Sequence, residues 1–224
     1  MSETRVLAFD CAGRGCAVAV LAGSRLLARR REAMERGQAG RLVPMIASVL
    51  DEAGMKASAL DLIAVTTGPG GFTGIRIGLA TARGLALATG KPAIGISNFD
   101  AIAAAVPPSA RRGRSLIVAL DSKRAEFFLQ AFGESGTVLG AGRQVAPAQL
   151  QSFLPPGALI LAGDAAALLA PLLAGRDVMR AQDAELPDPA LIARLALSRF
   201  GAEPVPPPLP LYLRPPDTTL PQAP

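Results

Sequence analysis

Residues Thr66 to Ala86 read TTGPGGFTGIRIGLATARGLA, a glycine-rich turn that runs without a break into a helix of small residues. Glycine is the residue that tolerates positive φ, so the turn is built for a sharp change of direction. Within the helix Gly74, Gly78, Ala82 and Ala86 follow one another at four-residue intervals. Residues four apart share one helix face, so the spacing predicts a smooth strip along which another element approaches closely. Glycine inside a helix costs about 1 kcal/mol against alanine, and two such costs on one strip call for close packing as the reason. Spacing alone leaves open whether the neighbour is internal or on another subunit. Thr73 is expected to cap the helix, and Gly90 followed by Pro92 to end it.

The block does not follow the known phosphate-binding spacings. No Gly-x-x-x-x-Gly-Lys is present, and Gly68, Gly70 and Thr73 break the Gly-x-Gly-x-x-Gly rule. The chain of 224 residues contains no histidine. That removes a Ser-His-Asp triad and a zinc-ligand helix from consideration, and no spacing singles out a carboxylate pair. No catalytic residue, metal site or cofactor is expected.

Half the residues are hydrophobic, enough for a sizeable aliphatic core. The N-terminus lacks a signal pattern, and no apolar run approaches the roughly 20 residues that cross a bilayer. A cytoplasmic protein is expected. Cys11 and Cys16 are too few for a disulfide framework or structural zinc and read as reduced thiols in or near a strand. The net charge of +5 has local clusters at Arg29–Arg31 and Arg111–Arg114. Without interleaved aromatics these read either as solvated surface or as electrostatic contacts to RNA within a larger assembly.

Val6–Asp10, Cys16–Leu21 and Leu26–Arg30 read as a three-stranded antiparallel meander. Leu42, Met45, Ile46, Val49, Leu50 and Ala53 form one apolar stripe. Pro44 is tolerated in a first helical turn, so that helix is expected to start near Arg41. Strands at Leu62–Thr67 and Ala93–Ile96 alternate with helices, which argues a parallel extension of the meander. After Pro107–Gly113 the pattern restarts. Leu116–Asp121 ends in an aspartate as Val6–Asp10 does, Glu126–Phe132 returns, and a third strand is expected near Val138. A strand at Ala158–Ala162 and helices at Ala165–Leu173 and Pro189–Phe200 follow. The expected division is a first lobe over residues 1–106, a second over 107–202, and an extended proline-rich tail over 203–224. Asp10 and the Gly163–Asp164 turn stand either as structural turn and cap residues or as a weak nucleotide contact.

The stretch Gly68–Ala86 is similar to the hallmark segment of the TsaB (YeaZ) family. Leu7–Asp10, Cys16–Val20, Leu42–Ile46, Asp121–Glu126 and Pro210–Arg214 extend the resemblance over nearly the whole chain. It implies an α/β fold of the actin-like, ribonuclease-H-like kind with two lobes, the second degenerate. It also implies a non-catalytic subunit of the bacterial assembly that makes threonylcarbamoyladenosine in tRNA. Such a subunit pairs through its first two helices with a metal-bearing transferase paralogue, and an ATPase subunit joins the pair. The tRNA, modified at the adenosine beside the anticodon, is then met only through the complex. Carried onto this chain, the pairing surface is Leu42, Met45, Ile46 and Val49 with Gly74, Ile77, Gly78 and Ala82. Two positions depart from the family pattern: Gln38 stands near a common histidine position, and Cys11 replaces the usual hydroxyl residue after Asp10. A nucleotide-dependent kinase or peptidase of the same superfamily, or a stand-alone homodimer, is the alternative.

Overall fold

Short apolar runs separated by glycine turns fold into strands β1 (Arg5–Asp10), β2 (Gly15–Ala22) and β3 (Arg25–Ala33), an antiparallel meander. A computed structural model describes residues 3–201 and 207–214. Strands β4 (Leu62–Thr66) and β5 (Ala93–Ile96) join beside β1 in parallel, giving the order β3-β2-β1-β4-β5. Both faces of this sheet are covered, so β1 and β4 are apolar at nearly every position. Side chains alternate between the faces. Leu7, Phe9, Ile63 and Val65 meet helices α1 (Gln38–Glu52) and α2 (Phe72–Thr89), while Val6, Ala8, Leu62 and Ala64 lie on the opposite side. A short helix, α3 (Asn98–Ala103), follows β5 and is capped by the Ser97 hydroxyl.

Helix α1 starts before the expected Arg41, which places Pro44 inside it. The proline nitrogen cannot donate to the Gly40 carbonyl; Gly40 is exposed, so water can serve that oxygen. At α2 the N-cap is Gly71, in an extended conformation and without a side-chain hydrogen bond. Thr73 is therefore already helical and does not cap. Gly90 ends the helix in the left-handed conformation, as expected.

The restart after residue 107 is a second sheet of the same design. A single turn, α4 (Pro108–Arg111), leads into β6 (Ser115–Asp121), antiparallel to β7 (Phe127–Phe132) and then β8 (Arg143–Val145). After α5 (Leu150–Phe153), β9 (Leu159–Ala162) and β10 (Val178–Arg180) add in parallel around α6 (Ala166–Leu169). The order β8-β7-β6-β9-β10 repeats the first sheet strand for strand. The third strand is at Arg143–Val145 and not near Val138, which makes only an isolated bridge to Phe132. Glycine-rich residues 133–142 form a turn held by the Gly133 amide on the Thr137 carbonyl at 2.7 Å.

One boundary is corrected. Helix α7 (Pro189–Arg199) returns to the first sheet, where Ala190, Ile192, Ala193 and Ala196 bury against Val6, Ala8, Ala19 and Leu62. The second lobe therefore ends before Pro189, not at residue 202. Of the expected tail, residues 207–214 are extended and pinned back on the body; 203–206 and 215–224 lie outside the described residues. The Leu211 amide donates to the Thr67 carbonyl at 2.8 Å, and Arg83 donates to the Pro208 carbonyl at 2.9 Å.

Candidate functional site

The strip on α2 faces the chain's own sheet. A β-carbon added at Gly74 would run into the Cys11 carbonyl oxygen, and one at Gly78 would lie 3.3 Å from the Val65 side chain. Ala82 is fully buried in the same layer. The glycines let α2 lie on the loop after β1, and the Gly71 amide donates to the Ala12 carbonyl at 2.8 Å. On α1, Leu42, Met45, Ile46 and Val49 are at most 3% exposed and pack on that face of the sheet. Seven of the eight residues expected at a partner surface are thus core residues of this chain, and only Ile77 remains half-buried at the surface. The strip is corrected from a seam between subunits to an internal one.

The opposite sides of the two helices are open. Val43 is 57% exposed and Leu87 88%, the latter an unusual value for a leucine. Pro44 and Ala47 on α1, and Ala80 and Ala88 on α2, are exposed around them. Side chains built at Gly40 or Gly84 would meet no atom within 4 Å. A second four-residue rhythm, Ala80, Gly84 and Ala88, runs along the exposed side of α2, next to the strip of Gly74, Gly78 and Ala82.

Between the lobes lies a cleft of about 770 Å³, lined by the loop after β1, the glycine turn before α2, Asp121–Lys123, Asp164 and the tail. Tyr212 of the tail stacks its ring 5.0 Å from that of Phe72 and accepts a hydrogen bond from Arg76 at 3.2 Å. Asp10 ends β1 beside this cleft but is only 5% exposed. One carboxylate oxygen accepts from the Thr66 hydroxyl at 2.5 Å and from the Ala12 amide at 3.1 Å. Burial pushes its pKa up, against the opposing pull of the Thr66 hydrogen bond. This aspartate ties the loop after β1 to the end of β4.

The second lobe repeats the arrangement with different partners. Asp164 accepts from the Asp121 amide at 2.9 Å, and burial raises its pKa. Burial works in the same direction on Asp121, but hydrogen bonds from the Lys123 side chain and amide outweigh it and hold that carboxyl low. The Lys123 ammonium is 2.6 Å from it. Gly163 has φ +96°, and a side chain there would strike the Ala119 carbonyl. The structure thus brings Asp164 to Asp121 across β6 and β9, while Asp10 is engaged separately in the first lobe. Among the described residues no group of three or more Cys, Asp or Glu is placed to hold a metal ion.

The arginine clusters have structural partners. Arg111 is 3% exposed and donates to the Val106 and Gly133 carbonyls at 2.9 and 2.6 Å. Arg29 and Arg31 both lie 3.0 Å from Asp188, and Arg30 lies 3.4 Å from Glu52. Among the described residues no helix is long and apolar enough to cross a membrane.

Two sheets of one strand order, each opened by a hairpin whose first strand ends in an aspartate and facing each other across a cleft, define a two-lobed α/β chain of the actin-like class. The family model for TsaD, tRNA N6-adenosine threonylcarbamoyltransferase, matches residues 32–168. The chain belongs to that family, among its TsaB (YeaZ) relatives. YeaZ from Pseudomonas aeruginosa superposes with a TM-score of 0.80 at 26% identity, over 94% of this chain and 100% of that one. The tRNA threonylcarbamoyladenosine biosynthesis protein TsaB of Haemophilus influenzae is 32% identical over 128 residues, 57% of this chain and 53% of the relative. The chain thus matches about half the length of that curated relative. An activator of 2-hydroxyisocaproyl-CoA dehydratase from Clostridium difficile, at 9% identity and a TM-score of 0.55 over 88% and 95% of the two chains, shares the fold.

Proposed function

We propose that this chain is the non-catalytic scaffold and activator subunit of a tRNA N6-threonylcarbamoyladenosine assembly, pairing with a metal-bearing transferase paralogue through the outer sides of α1 and α2. The observation that carries this reading is the exposure of Val43 on α1 and Leu87 on α2, each flanked by small exposed residues on the outer side of its helix. An exposed apolar patch edged by glycine and alanine lets a partner helix come close without displacing side chains. Similarity to TsaB and to the transferase family supports the biosynthetic context. The ATPase subunit joins the pair, and the tRNA is met through the complex. In this scheme docking selects one conformation of the partner's active site.

Asp10 and Asp164 have roles that do not call for a nucleotide. Asp10 accepts from Thr66 and Ala12, and Asp164 from Asp121. Asp10 holds the loop after β1, and Asp164 holds the end of β6 to the turn after β9.

Light scattering of an equimolar mixture with the metal-bearing subunit tests the pairing. The double variant Val43→Glu/Leu87→Glu is expected to abolish the mixed species and the stimulation of threonylcarbamoyl transfer. Its own unfolding free energy should stay within about 0.5 kcal/mol of the parent, as for other exposed substitutions. Normal pairing and stimulation by this variant would sink the reading. A pure homodimer that takes no partner would favour the stand-alone alternative. Turnover of ATP with magnesium by the isolated chain would favour the kinase alternative.

A further inference from the structure

Cys11 and Cys16 stand opposite one another where the β1–β2 hairpin ends. The antiparallel register runs as far as Asp10 opposite Ala17, and Cys11 and Cys16 are the residues directly beyond that last pair. Their sulfurs are 3.2 Å apart, and the side chains are 1% and 2% exposed. Opposed residues of antiparallel strands hold their Cα atoms about 4.5–5.5 Å apart, inside the span of about 4.4–6.8 Å that a disulfide accepts. We propose that this pair is a dithiol modification site which a hydroperoxide converts to an intrachain disulfide, cross-linking the loop that seats α2.

The placement gives the bond a structural consequence. The Cys11 carbonyl lies under Gly74, and the Ala12 carbonyl receives the Gly71 amide. Closing residues 11–16 therefore stiffens the surface on which the first turn of α2 rests. Cys11 is among the residues lining the interlobe cleft, which places the pair just behind the cleft wall. The hydrogen bond between the thiols favours ionisation at Cys16, whose pKa is lowered, and pushes that of Cys11 up.

The chemistry balances with one hydrogen peroxide. The Cys16 thiolate attacks one peroxide oxygen; the O–O bond breaks, hydroxide leaves, and Cys16 becomes a sulfenic acid. Cys11 gives its proton to that hydroxide, forming the first water, and its sulfur attacks the Cys16 sulfur. The S–O bond breaks as the S–S bond forms, and the departing hydroxide takes a proton from solvent to become the second water. That proton replaces the one Cys16 released on ionising. The two thiols lose two electrons and the peroxide gains them. A neighbouring thiol at 3.2 Å diverts the sulfenic acid to a disulfide before further oxidation.

The test is intact-mass spectrometry on the full chain. Protein treated with hydrogen peroxide is quenched with catalase, denatured and exposed to N-ethylmaleimide. The expected product is lighter by two hydrogen atoms, takes up no maleimide, and regains both sites after dithiothreitol. Cys11→Ser and Cys16→Ser should each leave an oxygen adduct or a free thiol and never an intrachain link. Two free thiols in the folded parent, at peroxide doses that oxidise the denatured chain, would overturn the proposal. So would sulfinic or sulfonic products without the disulfide. Hydrogen exchange of the parent alone reads the coupling to α2: slower exchange at residues 71–76 after oxidation is expected, and unchanged exchange would refute it. None of these measurements uses the partner subunit, so they stand or fall apart from the pairing reading.

Discussion

Gly74 of α2 faces the loop after β1 and Gly84 faces open space, and the same substitution at each is expected to act with opposite sign. Alanine gains about 1 kcal/mol over glycine inside a helix. At Gly84 an added methyl meets no atom within 4 Å, so Gly84→Ala should stabilise the chain by up to about 1 kcal/mol. At Gly74 the methyl would overlap the Cys11 carbonyl oxygen and come within 3.0 Å of its carbon and 3.3 Å of the Ala12 Cα. These are backbone atoms, so no side-chain rotation relieves the overlap. Overpacking costs about 1–3 kcal/mol, and a backbone clash belongs at the upper end. Subtracting the propensity gain leaves a net loss of about 2 kcal/mol for Gly74→Ala.

For a chain of this size 1 kcal/mol moves the thermal midpoint by about 2–4 °C. Gly74→Ala should therefore melt about 4–8 °C lower and Gly84→Ala about 2–4 °C higher. Thermal scans of the isolated chain, with urea titrations checking that the slope is unchanged, measure both. The reasoning fails if the two variants shift in the same direction. It also fails if Gly74→Ala is silent in the isolated chain and matters only when a partner is present, since that would return the strip to an intersubunit seam.

Other expectations concern the polar interior. Arg111→Met keeps the apolar stem but removes bonds to the Val106 and Gly133 carbonyls; hydrogen bonds to a charged group contribute about 1.5–3 kcal/mol each, so urea unfolding should show a loss of about 3–6 kcal/mol. Thr66→Val takes the hydroxyl from a carboxylate whose pKa burial already raises. A further rise of the Asp10 pKa, read by carboxyl NMR, is expected, and no movement would refute the assigned contact. The Asp61 pKa is lowered, first by the Arg5 amide at 2.8 Å and then by its guanidinium. Its contribution is present above the ordinary carboxylate range and disappears as pH falls through the lower folded value. Asp61→Asn should thus flatten the acid limb of the stability curve by about 0.5–1 kcal/mol, the scale of a solvent-exposed pair. An unaltered limb would show that the contact does not persist in solution.

Much of the architecture was legible because it is written in local pattern. Val6–Asp10 and Leu116–Asp121 are apolar runs closed by an aspartate, and both became first strands of duplicated meanders. The α1 stripe identified a buried face correctly because amphipathic spacing reports burial. Spacing says nothing about which body does the burying. The resemblance placed Leu42 and Gly74 at a partner surface, whereas this chain's own sheet covers Leu42 and the loop after β1 covers Gly74. The same limit displaced α7: its stripe of Ala190, Ala193 and Ala196 marks a packed helix, but only the fold shows that it crosses back to the first sheet. Strand β10 gave no signal, since three residues at a sheet edge carry no recognisable period.

The two faces of α2 show why a small-residue rhythm is ambiguous. Gly74 is small because a side chain would strike the Cys11 carbonyl, while Gly78 sits tight against Val65 and Ala82 is fully buried in the same layer. Ala80, Gly84 and Ala88 are small with open space beyond them, so internal packing gives no reason for their size. A glycine that fills no tight contact still carries its helix cost of about 1 kcal/mol. At Gly84 the proposed partner contact would supply the reason that the isolated fold does not. The buried face explains how the lobe is built, and the exposed one directs the search for a partner to the outer side of the same helix.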